Sequence, residues 1–164
     1  MQPHKEAYLD IETTGLTPIY DEITVVGIYL CDGINREVVQ LVGRDATADS
    51  ILGTLKGADI LYTYNGTAFD LPFIRSRLNI NLASVAEHHD LMYDCWRNNL
   101  YGGLKAVERQ LGIERRLKEV DGHEAIRLWW RYVDYFDTDA LATLLEYNKE
   151  DVLNLRVLKE MLSS

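Results

Sequence analysis

The sequence predicts an α/β domain built on a mixed five-stranded sheet, in the strand order 3-2-1-4-5, with helices on its faces. Two observations carry this prediction. Strand-like runs joined by tight turns open the chain, and helical and strand-like segments alternate after them. With 164 residues, of which 47% are hydrophobic, the chain has the size and composition of one domain with a real core. We therefore expect a single domain over residues 1–164.

The strands are predicted from β-branched and aromatic content and from the turns between them. We place the first strand at residues 6–12 and the second at 22–31. The dipeptide Asp32-Gly33 predicts a tight hairpin turn into a third strand that ends near Val42. Shorter strands follow at residues 59–64 and 88–92. The tight turns pair the first three strands in sequence, so the first strand is left at the centre of the sheet.

The helices are predicted from capping residues and from apolar residues at helical spacing. A short helix over residues 48–56 has Thr47, Asp49 or Ser50 as its cap. In the helix over residues 68–78, Pro72 must lie in the first turn, which puts Asp70 at or near the N-terminus. Three further helices are predicted, at residues 104–111, 124–135 and 138–162.

The first strand carries two carboxylates at spacing i and i+2. Because side chains alternate between the faces of a strand, Asp10 and Glu12 share one face with Tyr8, while Leu9 and Ile11 share the other. Two like charges this close are costly to bury unless a cation compensates them. Carboxylate oxygens are ligands that suit Mg²⁺ or Mn²⁺. A divalent metal ion is the cation that fits this pair best, while a polar strand face without function stays open for these two residues taken alone.

The last predicted helix also carries an acid on an unexpected face. Its apolar stripe contains Leu144, Tyr147, Asp151, Leu155 and Leu158. A solvated acid would lie on the opposite face, where we expect Glu146, Lys149 and Glu150, so Asp151 points inward and needs a partner. Together with Asp10, Glu12 and Asp70, it predicts a two-metal site for hydrolysis of a phosphate ester. Tyr147 lies one turn before Asp151, where its hydroxyl could orient a water.

These residues resemble the DEDD, or DnaQ-like, superfamily of 3′-to-5′ exonucleases, which has a ribonuclease H-like fold. Residues 10–16 resemble its first motif, residues 64–70 its second and residues 147–151 its third. The histidine subclass would have its histidine at position 146, which is Glu146 here, so the tyrosine subclass is implied. Residues 89–105 further resemble a bacterial set of predicted nucleases called YprB-like. The resemblance covers nearly the whole chain.

The resemblance implies specific roles. The implied metal ligands for two Mg²⁺ or Mn²⁺ ions are Asp10, Glu12, Asp70 and Asp151. Tyr147 would complete the catalytic set by positioning the hydrolytic water. The implied substrate-binding residues, near the terminal nucleotide, are Thr13, Thr14, Gly15, Leu16, Asn65 and Phe69. The substrate would be a single-stranded DNA or RNA 3′ end, and the product a nucleoside 5′-monophosphate.

The net charge of −9 disfavours tight, nonspecific duplex binding but allows contact with a few nucleotides. No apolar run approaches the length of a membrane span, and the N-terminus lacks the pattern of a signal peptide, so we expect a soluble cytoplasmic protein with no membrane partner. Two alternatives stay open. One is a structure-selective endonuclease on the same fold, and the other is a non-catalytic nucleic-acid or protein-binding module.

Several residues near the motifs allow more than one interpretation. Asp90 and Asp94 would either assist a metal or cap a helix. The loop over residues 98–103 would either border the site or only connect helices. The basic run from Arg115 to Lys118 is either a solvated loop or a phosphate contact. Aromatic side chains can stack on bases, but we interpret a helix face with Ile126, Trp129, Trp130 and Val133 as buried core.

Overall fold

The computed structural model describes residues 4–163, so the two ends of the predicted domain, residues 1–3 and 164, lie outside the described residues. The strands are β1 (Lys5–Thr13), β2 (Ile23–Asp32), β3 (Asn35–Val42), β4 (Ile60–Thr63) and β5 (Glu87–Asp90). The α-helices are α1 (Ala48–Thr54), α2 (Asp70–Leu78), α3 (Leu91–Arg97), α4 (Leu104–Leu111), α5 (Gly122–Tyr135) and α6 (Thr138–Leu162).

The five strands form one mixed sheet in the order β3-β2-β1-β4-β5, which confirms the predicted order. Strand β2 pairs antiparallel with both β1 and β3. Strand β4 pairs parallel with both β1 and β5. The central position of β1 therefore places its C-terminal half beside segments from distant parts of the chain.

The two faces of β1 contact different helices, as its alternation predicts. Leu9 and Ile11 belong to a core cluster that also contains buried residues of α1 and α2. Tyr8 belongs to a second cluster on the opposite face, which contains Leu155 and Leu158 of α6. Asp10 and Glu12 share the face of Tyr8, so the acids of β1 are on the side that α6 covers.

The hairpin turn lies one residue later than predicted. Asp32 is paired with Asn35, and the two-residue loop consists of Gly33 and Ile34 rather than Asp32 and Gly33. Gly33 has φ +60°, a conformation that glycine adopts without steric cost. The loop retains two residues, and all of β3 pairs with β2 over Val25 to Asp32.

The end of β5 also differs from the prediction. The strand stops at Asp90, and helix α3, which the sequence patterns did not predict, begins at Leu91. Asp90 caps this helix, because its carboxylate accepts a hydrogen bond from the Met92 amide at 3.1 Å. The short apolar run that was assigned to the strand is therefore divided between two elements.

The predicted buried face of α5 is only partly right: Ile126 and Trp129 are half-buried, and Trp129 packs against a core cluster. The helix buries Ala125 and Leu128, whereas Trp130 is 43% exposed and Val133 is 42% exposed. The buried stripe is rotated around the helix relative to the prediction, because packing against α6 favours the stripe with the small Ala125. Within residues 4–163, no helix has both the length and the apolar character needed to cross a bilayer.

Candidate active site

Three of the predicted acids meet at the C-terminal half of β1. Carboxylate oxygens of Asp10, Glu12 and Asp151 all lie within 4.8 Å of one another. Asp70 joins them from α2, because its Oδ2 accepts a hydrogen bond from the Ile11 amide at 3.1 Å. The structure thus brings together all four acids that the sequence separates by up to 141 positions.

Helix α6 packs closely against β1 because the neighbouring strand β2 has a glycine at the point of contact. Asn148, fully buried on α6, donates from Nδ2 to the backbone carbonyl of Asp10 at 3.2 Å. Its Oδ1 accepts from Gln40 Nε2 at 3.0 Å. A Cβ atom at Gly27, the partner of Asp10 in β2, would collide with the Asn148 amide, so glycine permits this close approach. These contacts fix how closely α6 approaches the sheet and hence where Asp151 lies.

Asp90 organises the turn that leads to Asp70. Its carboxylate accepts hydrogen bonds from the backbone amides of Asn65 at 2.8 Å and Thr67 at 3.1 Å, in addition to its cap bond on α3. Asp94 instead lies within α3, where its carboxylate contacts the His89 ring nitrogen and forms an ion pair with Arg97. Asp90 therefore caps a helix, one of its two predicted roles, whereas Asp94 caps none of the described helices.

Burial and mutual repulsion disfavour the ionised forms of the clustered acids. Burial, followed by the charge of Asp151, raises the pKa of Glu12 to about 8. Burial raises the pKa of Asp70 to about 7, against the lowering effect of the Ile11 hydrogen bond. For Asp10, burial and then the charges of Asp151 and Glu12 raise the pKa well above its usual range.

The cluster has the donor set that a hard divalent cation requires. Glu12 Oε1 is buried and has no hydrogen-bond partner among residues 4–163. An orphaned carboxylate oxygen beside two further carboxylates is costly without a cation. A divalent ion would supply the missing partner and would remove the repulsion that raises these pKa values. The residues therefore fit the predicted Mg²⁺ or Mn²⁺ ligands.

Tyr147 lies beside the acids and is nearly fully buried. Burial, followed by the charge of Asp151, raises the pKa of its hydroxyl, so the side chain stays protonated at neutral pH. The ammonium of Lys105 lies 4.6 Å from the centre of the Tyr147 ring, and burial lowers the pKa of Lys105. Tyr147 is thus a neutral hydroxyl donor within the acidic site.

Arg115 occupies the interior of the site rather than a solvated loop. Its Nε donates to Glu108 Oε1 at 2.7 Å, and its Nη2 forms a short ion pair with Asp151 Oδ1. Glu150 is also buried, contrary to the prediction of a solvated face, because its carboxylate accepts hydrogen bonds from the backbone amides of Arg116 and Leu117. Glu150 of α6 therefore holds the backbone of this loop, and the adjacent Asp151 holds the side chain of Arg115.

The sequence contains one clue to the burial of Arg115, and it lies outside the three motifs. Helix α4 has its apolar residues Leu104, Val107 and Leu111 on a stripe that also includes Glu108. An acid on an apolar stripe needs a buried cation, by the same argument that singled out Asp151. Which cation it finds depends on tertiary packing, so the pattern predicts a partner without naming Arg115.

Three of the four acids line a cavity of about 650 Å³, whereas Glu12 is not among the described residues of its wall. Its wall includes Asp10, Asp70, Tyr147, Asp151, Lys105 and Arg115, together with the apolar and aromatic side chains of Tyr64, Phe69, Met92 and Trp96. The loop over residues 98–103 borders it through Gly102 and Gly103, and the Tyr64 hydroxyl donates to the Gly102 carbonyl at 2.5 Å. The loop is therefore part of the site, tied to the end of β4.

The predicted substrate-binding residues divide into two groups. Asn65 and Phe69 line the cavity. The segment Thr13, Thr14, Gly15 and Leu16 follows Glu12 directly, but contributes none of the described residues in the cavity wall. Asp21 stabilises this segment by accepting hydrogen bonds from the Thr14 hydroxyl and the Thr17 amide, and Leu16 is 82% exposed at its tip. Its role in substrate binding stays a prediction.

Comparison with known proteins supports the resemblance and the predicted fold. The sequence model of the RNase H superfamily matches residues 7–163. The uncharacterized protein YprB of Bacillus subtilis (strain 168) is 34% identical over 171 aligned residues, which cover 90% of this chain and 39% of YprB. The chain therefore spans well under half the length of that relative.

Solved structures show the same fold at lower identity. The family B DNA polymerase of Pyrobaculum calidifontis superposes with a TM-score of 0.74 at 20% identity, over 98% of this chain and 24% of the polymerase. Brucella melitensis NrnC with bound Mg²⁺ has a TM-score of 0.64 at 23% identity, over 98% of this chain and 72% of NrnC. NrnC bound to pGG has a TM-score of 0.65 at 22% identity, over 97% of this chain and 72% of NrnC.

Proposed function

The chain belongs to the RNase H superfamily, and we propose that it is a metal-dependent 3′-to-5′ exonuclease that removes nucleoside 5′-monophosphates from single-stranded DNA or RNA. The observation that carries the proposal is the convergence of Asp10, Glu12 and Asp151 within 4.8 Å, with Asp70 beside them. Asp10, Asp70 and Asp151 also line an open cavity. Residues 1–164 as a whole are proposed to form the exonuclease domain.

Asp10, Glu12, Asp70 and Asp151 would hold two divalent ions. When bound, such ions polarise the scissile phosphate, favour deprotonation of the attacking water and stabilise the leaving oxygen. The orphaned Glu12 oxygen and the raised pKa values of the acids support a site that is built for cations. The Mg²⁺ in the similar structure of NrnC is consistent with the choice of ion.

Tyr147 would orient the water for attack. Its hydroxyl remains protonated, so it donates a hydrogen bond rather than accepting a proton, and the ammonium of Lys105 lies over its ring. Lys105 also lines the cavity, where its ammonium could neutralise a phosphate oxygen. These two side chains give the site the positioning that in-line displacement requires.

The cavity wall supports an unpaired strand end as the substrate. Trp96 is 45% exposed, and with Phe69 and Tyr64 it presents aromatic surface beside the acids. Aromatic side chains stack on bases of any identity, which is typical of single-strand binding without sequence preference. The cavity volume of about 650 Å³ suits a few nucleotides rather than a duplex, and the pGG in the similar NrnC structure is likewise short.

The test is hydrolysis of single-stranded DNA and RNA labelled at the 5′ end, in Mn²⁺, with Asp10→Asn as the inactive control. The proposal predicts a ladder that shortens from the 3′ end with wild-type protein alone. Cleavage of neither polymer, or equal cleavage by Asp10→Asn, would exclude it. Comparison of the two strands also shows which sugar the site accepts.

The same assay separates the alternatives. A circular single strand has no end, so only an endonuclease on this fold would open it. A non-catalytic binding module would bind the strand without cleaving it, and would show no metal-linked rise in thermal stability. The clustering of Asp10, Glu12 and Asp151, together with Asp70 and Tyr147 in the wall of the adjoining cavity, favours the exonuclease over this module.

A further inference from the structure

Asp151, one of the proposed metal ligands, already shares its carboxylate with a cation of the chain. Arg115 is only 8% exposed, and its guanidinium bridges Asp151 and Glu108. Glu108 is in turn held by Asn154, whose Nδ2 donates to Oε2 at 2.5 Å. The third nitrogen of Arg115, Nη1, is buried without a hydrogen-bond partner among residues 4–163. Arg115 is therefore held between two acids, one inside the metal cluster and one outside it.

The backbone around Arg115 is anchored independently of its side chain. The Arg116 and Leu117 amides donate to the Glu150 carboxylate at 2.7 Å and 2.9 Å. Because these bonds fix the loop to α6, a change of partner by Arg115 requires movement of the guanidinium alone. Glu108 provides a second anchor that stays available when contact with Asp151 weakens.

The carboxylates of the cluster differ in what surrounds them. Glu12 Oε1 has no hydrogen-bond partner among the described residues, whereas Asp151 Oδ1 is engaged by Arg115. A divalent ion bound through Asp151 would stand close to the guanidinium, and two positive charges at short range in a buried site repel strongly. Ion binding and the Arg115–Asp151 pair therefore oppose each other.

We propose that Arg115 is an internal counter-cation that competes with the divalent ion for Asp151 and so sets the ion affinity of the site, while Glu108 draws Arg115 away. This inference rests on the proposed function, since it assumes that the acidic cluster binds metal. It assigns Arg115 and Glu108 a role in tuning ion affinity, not in the chemical step.

Two variants should shift the affinity in opposite directions. Glu108→Gln removes the negative charge that competes for Arg115, so Arg115 should bind Asp151 more strongly and the Kd for Mn²⁺ should rise. Arg115→Met/Glu108→Leu removes the whole pair without leaving a buried charge alone, so the Kd should fall. Arg115 is nearer the cluster than Glu108, which makes the loss of its positive charge the dominant effect.

The experiment is calorimetric titration of metal-free protein with Mn²⁺, without any substrate. We expect Glu108→Gln to weaken binding and the double variant to strengthen it, each by about tenfold, as the screened loss of one nearby charge allows. Arg116→Met removes an exposed arginine from the same loop and should leave the Kd unchanged. A thermal melt of each metal-free variant establishes whether it is folded. If the double variant is unfolded, the Kd of Glu108→Gln for Mn²⁺ still tests the proposal by itself.

The outcomes separate this inference from the proposed function. If wild-type protein binds Mn²⁺ but Glu108→Gln binds it equally or more tightly, the competition by Arg115 is excluded while the metal site stands. Weaker binding by the folded double variant would likewise show that Arg115 only orients Asp151 for the ion. If wild-type protein does not bind Mn²⁺, this inference and the proposed function both fail.

Discussion

The backbone amide of Ile11 donates a hydrogen bond to the Asp70 carboxylate at 3.1 Å and so connects the central strand to the first turn of α2. Ile11 lies between the two acids of β1, with its side chain in the core on the opposite face. The amide between Asp10 and Glu12 therefore aligns a third acid with them. One carboxylate oxygen of Asp70 is used in this bond, which leaves the other for an ion.

This relationship predicts different outcomes for two substitutions of Asp70. Asp70→Asn keeps an oxygen that can accept from Ile11 and removes only the charge. It should fold normally, yet its rate of hydrolysis should fall at least about a thousandfold. Loss of a metal ligand removes several kcal/mol of transition-state stabilisation, and each 1.36 kcal/mol costs tenfold in rate. Urea unfolding in EDTA and a nuclease assay in Mn²⁺ measure the two effects.

The matched control is Asp70→Ala, which also removes the acceptor. It leaves the buried Ile11 amide without a partner and should cost about 1–3 kcal/mol of stability relative to Asp70→Asn. Equal stability of the two variants would mean that the Ile11 bond does not matter to the fold. Retained activity in Asp70→Asn would remove Asp70 from the proposed site.

The stability of the metal-free protein should depend on the ionisation of the clustered acids. Glu12 and Asp70 have folded-state pKa values of about 8 and about 7, above those of an unfolded chain. An acid whose pKa is raised by folding stabilises the fold fully at low pH, and this contribution is lost as pH rises from about 4 to about 8. Metal-free protein should therefore lose stability over this window.

The comparison of wild-type protein with Glu12→Gln isolates this effect from other acids. In EDTA the Tm of Glu12→Gln should equal that of the wild type near pH 4 and exceed it by roughly 10 °C at pH 8.5, which corresponds to about 4 kcal/mol for the rise in the pKa of Glu12. In Mn²⁺ the wild type should regain the difference, because protons and ions compete for the same oxygens. A Tm gap that stays constant with pH would contradict the prediction.

Asp90 should matter for stability although it is not a proposed metal ligand. Asp90→Ala removes the acceptor of three backbone amides, those of Asn65, Thr67 and Met92, and should cost about 2–4 kcal/mol in urea unfolding. Asp94→Ala, which breaks only a partly exposed ion pair with Arg97 and a contact with His89, should cost less than about 1 kcal/mol. Similar losses of stability in both variants would mean that the three hydrogen bonds accepted by Asp90 do not stabilise the fold.

How far the sequence predicts this molecule depends on whether a residue's environment follows from local periodicity. Alternation in β1 and the helical stripe of α6 were sufficient to place Asp10, Glu12 and Asp151 on inward faces, because both patterns repeat over several residues. Strand order followed from the turns and the intervening helices. The positions of Asp10 and Asp151 were therefore predictable before their contact was known.

Other parts of the site depend on contacts between distant segments. Arg115 lies in a loop with no periodicity, and its burial follows from Glu108 and Asp151 on two different helices. Glu150 occupies a face of α6 that would be solvated in an isolated helix but is covered by that same loop. Helix α3 is too short for its pattern to be distinguished from the end of a strand.

Trp96 should contribute to substrate binding rather than to the fold. Loss of base stacking in Trp96→Ala is worth about 1–3 kcal/mol, so KM for a single strand should rise by about 5- to 100-fold with kcat largely unchanged. Trp130→Ala is the control, since Trp130 is about equally exposed but lies outside the cavity wall. An unchanged KM for Trp96→Ala, measured by steady-state kinetics, would leave Trp96 without this role.

Tyr147→Phe should separate the hydroxyl from the packing of the ring. The ring keeps its contact with Lys105, so the fold and the Kd for Mn²⁺ should change little. Loss of the hydroxyl should lower kcat by about tenfold to a hundredfold, at or below the lower limit for general acid–base groups, because Tyr147 donates a hydrogen bond to the water and does not take its proton. Unchanged turnover would show that Tyr147 serves only the core.

The most direct test of the central claim is the identity of the first product. A single strand carries ³²P in its last phosphodiester, and the products formed in Mn²⁺ are separated by chromatography over a time course. The proposed function predicts that label appears first as the terminal nucleoside 5′-monophosphate, with wild-type protein only and not with Asp10→Asn or in EDTA. Release of label in longer oligonucleotides, or no release at all, would contradict it.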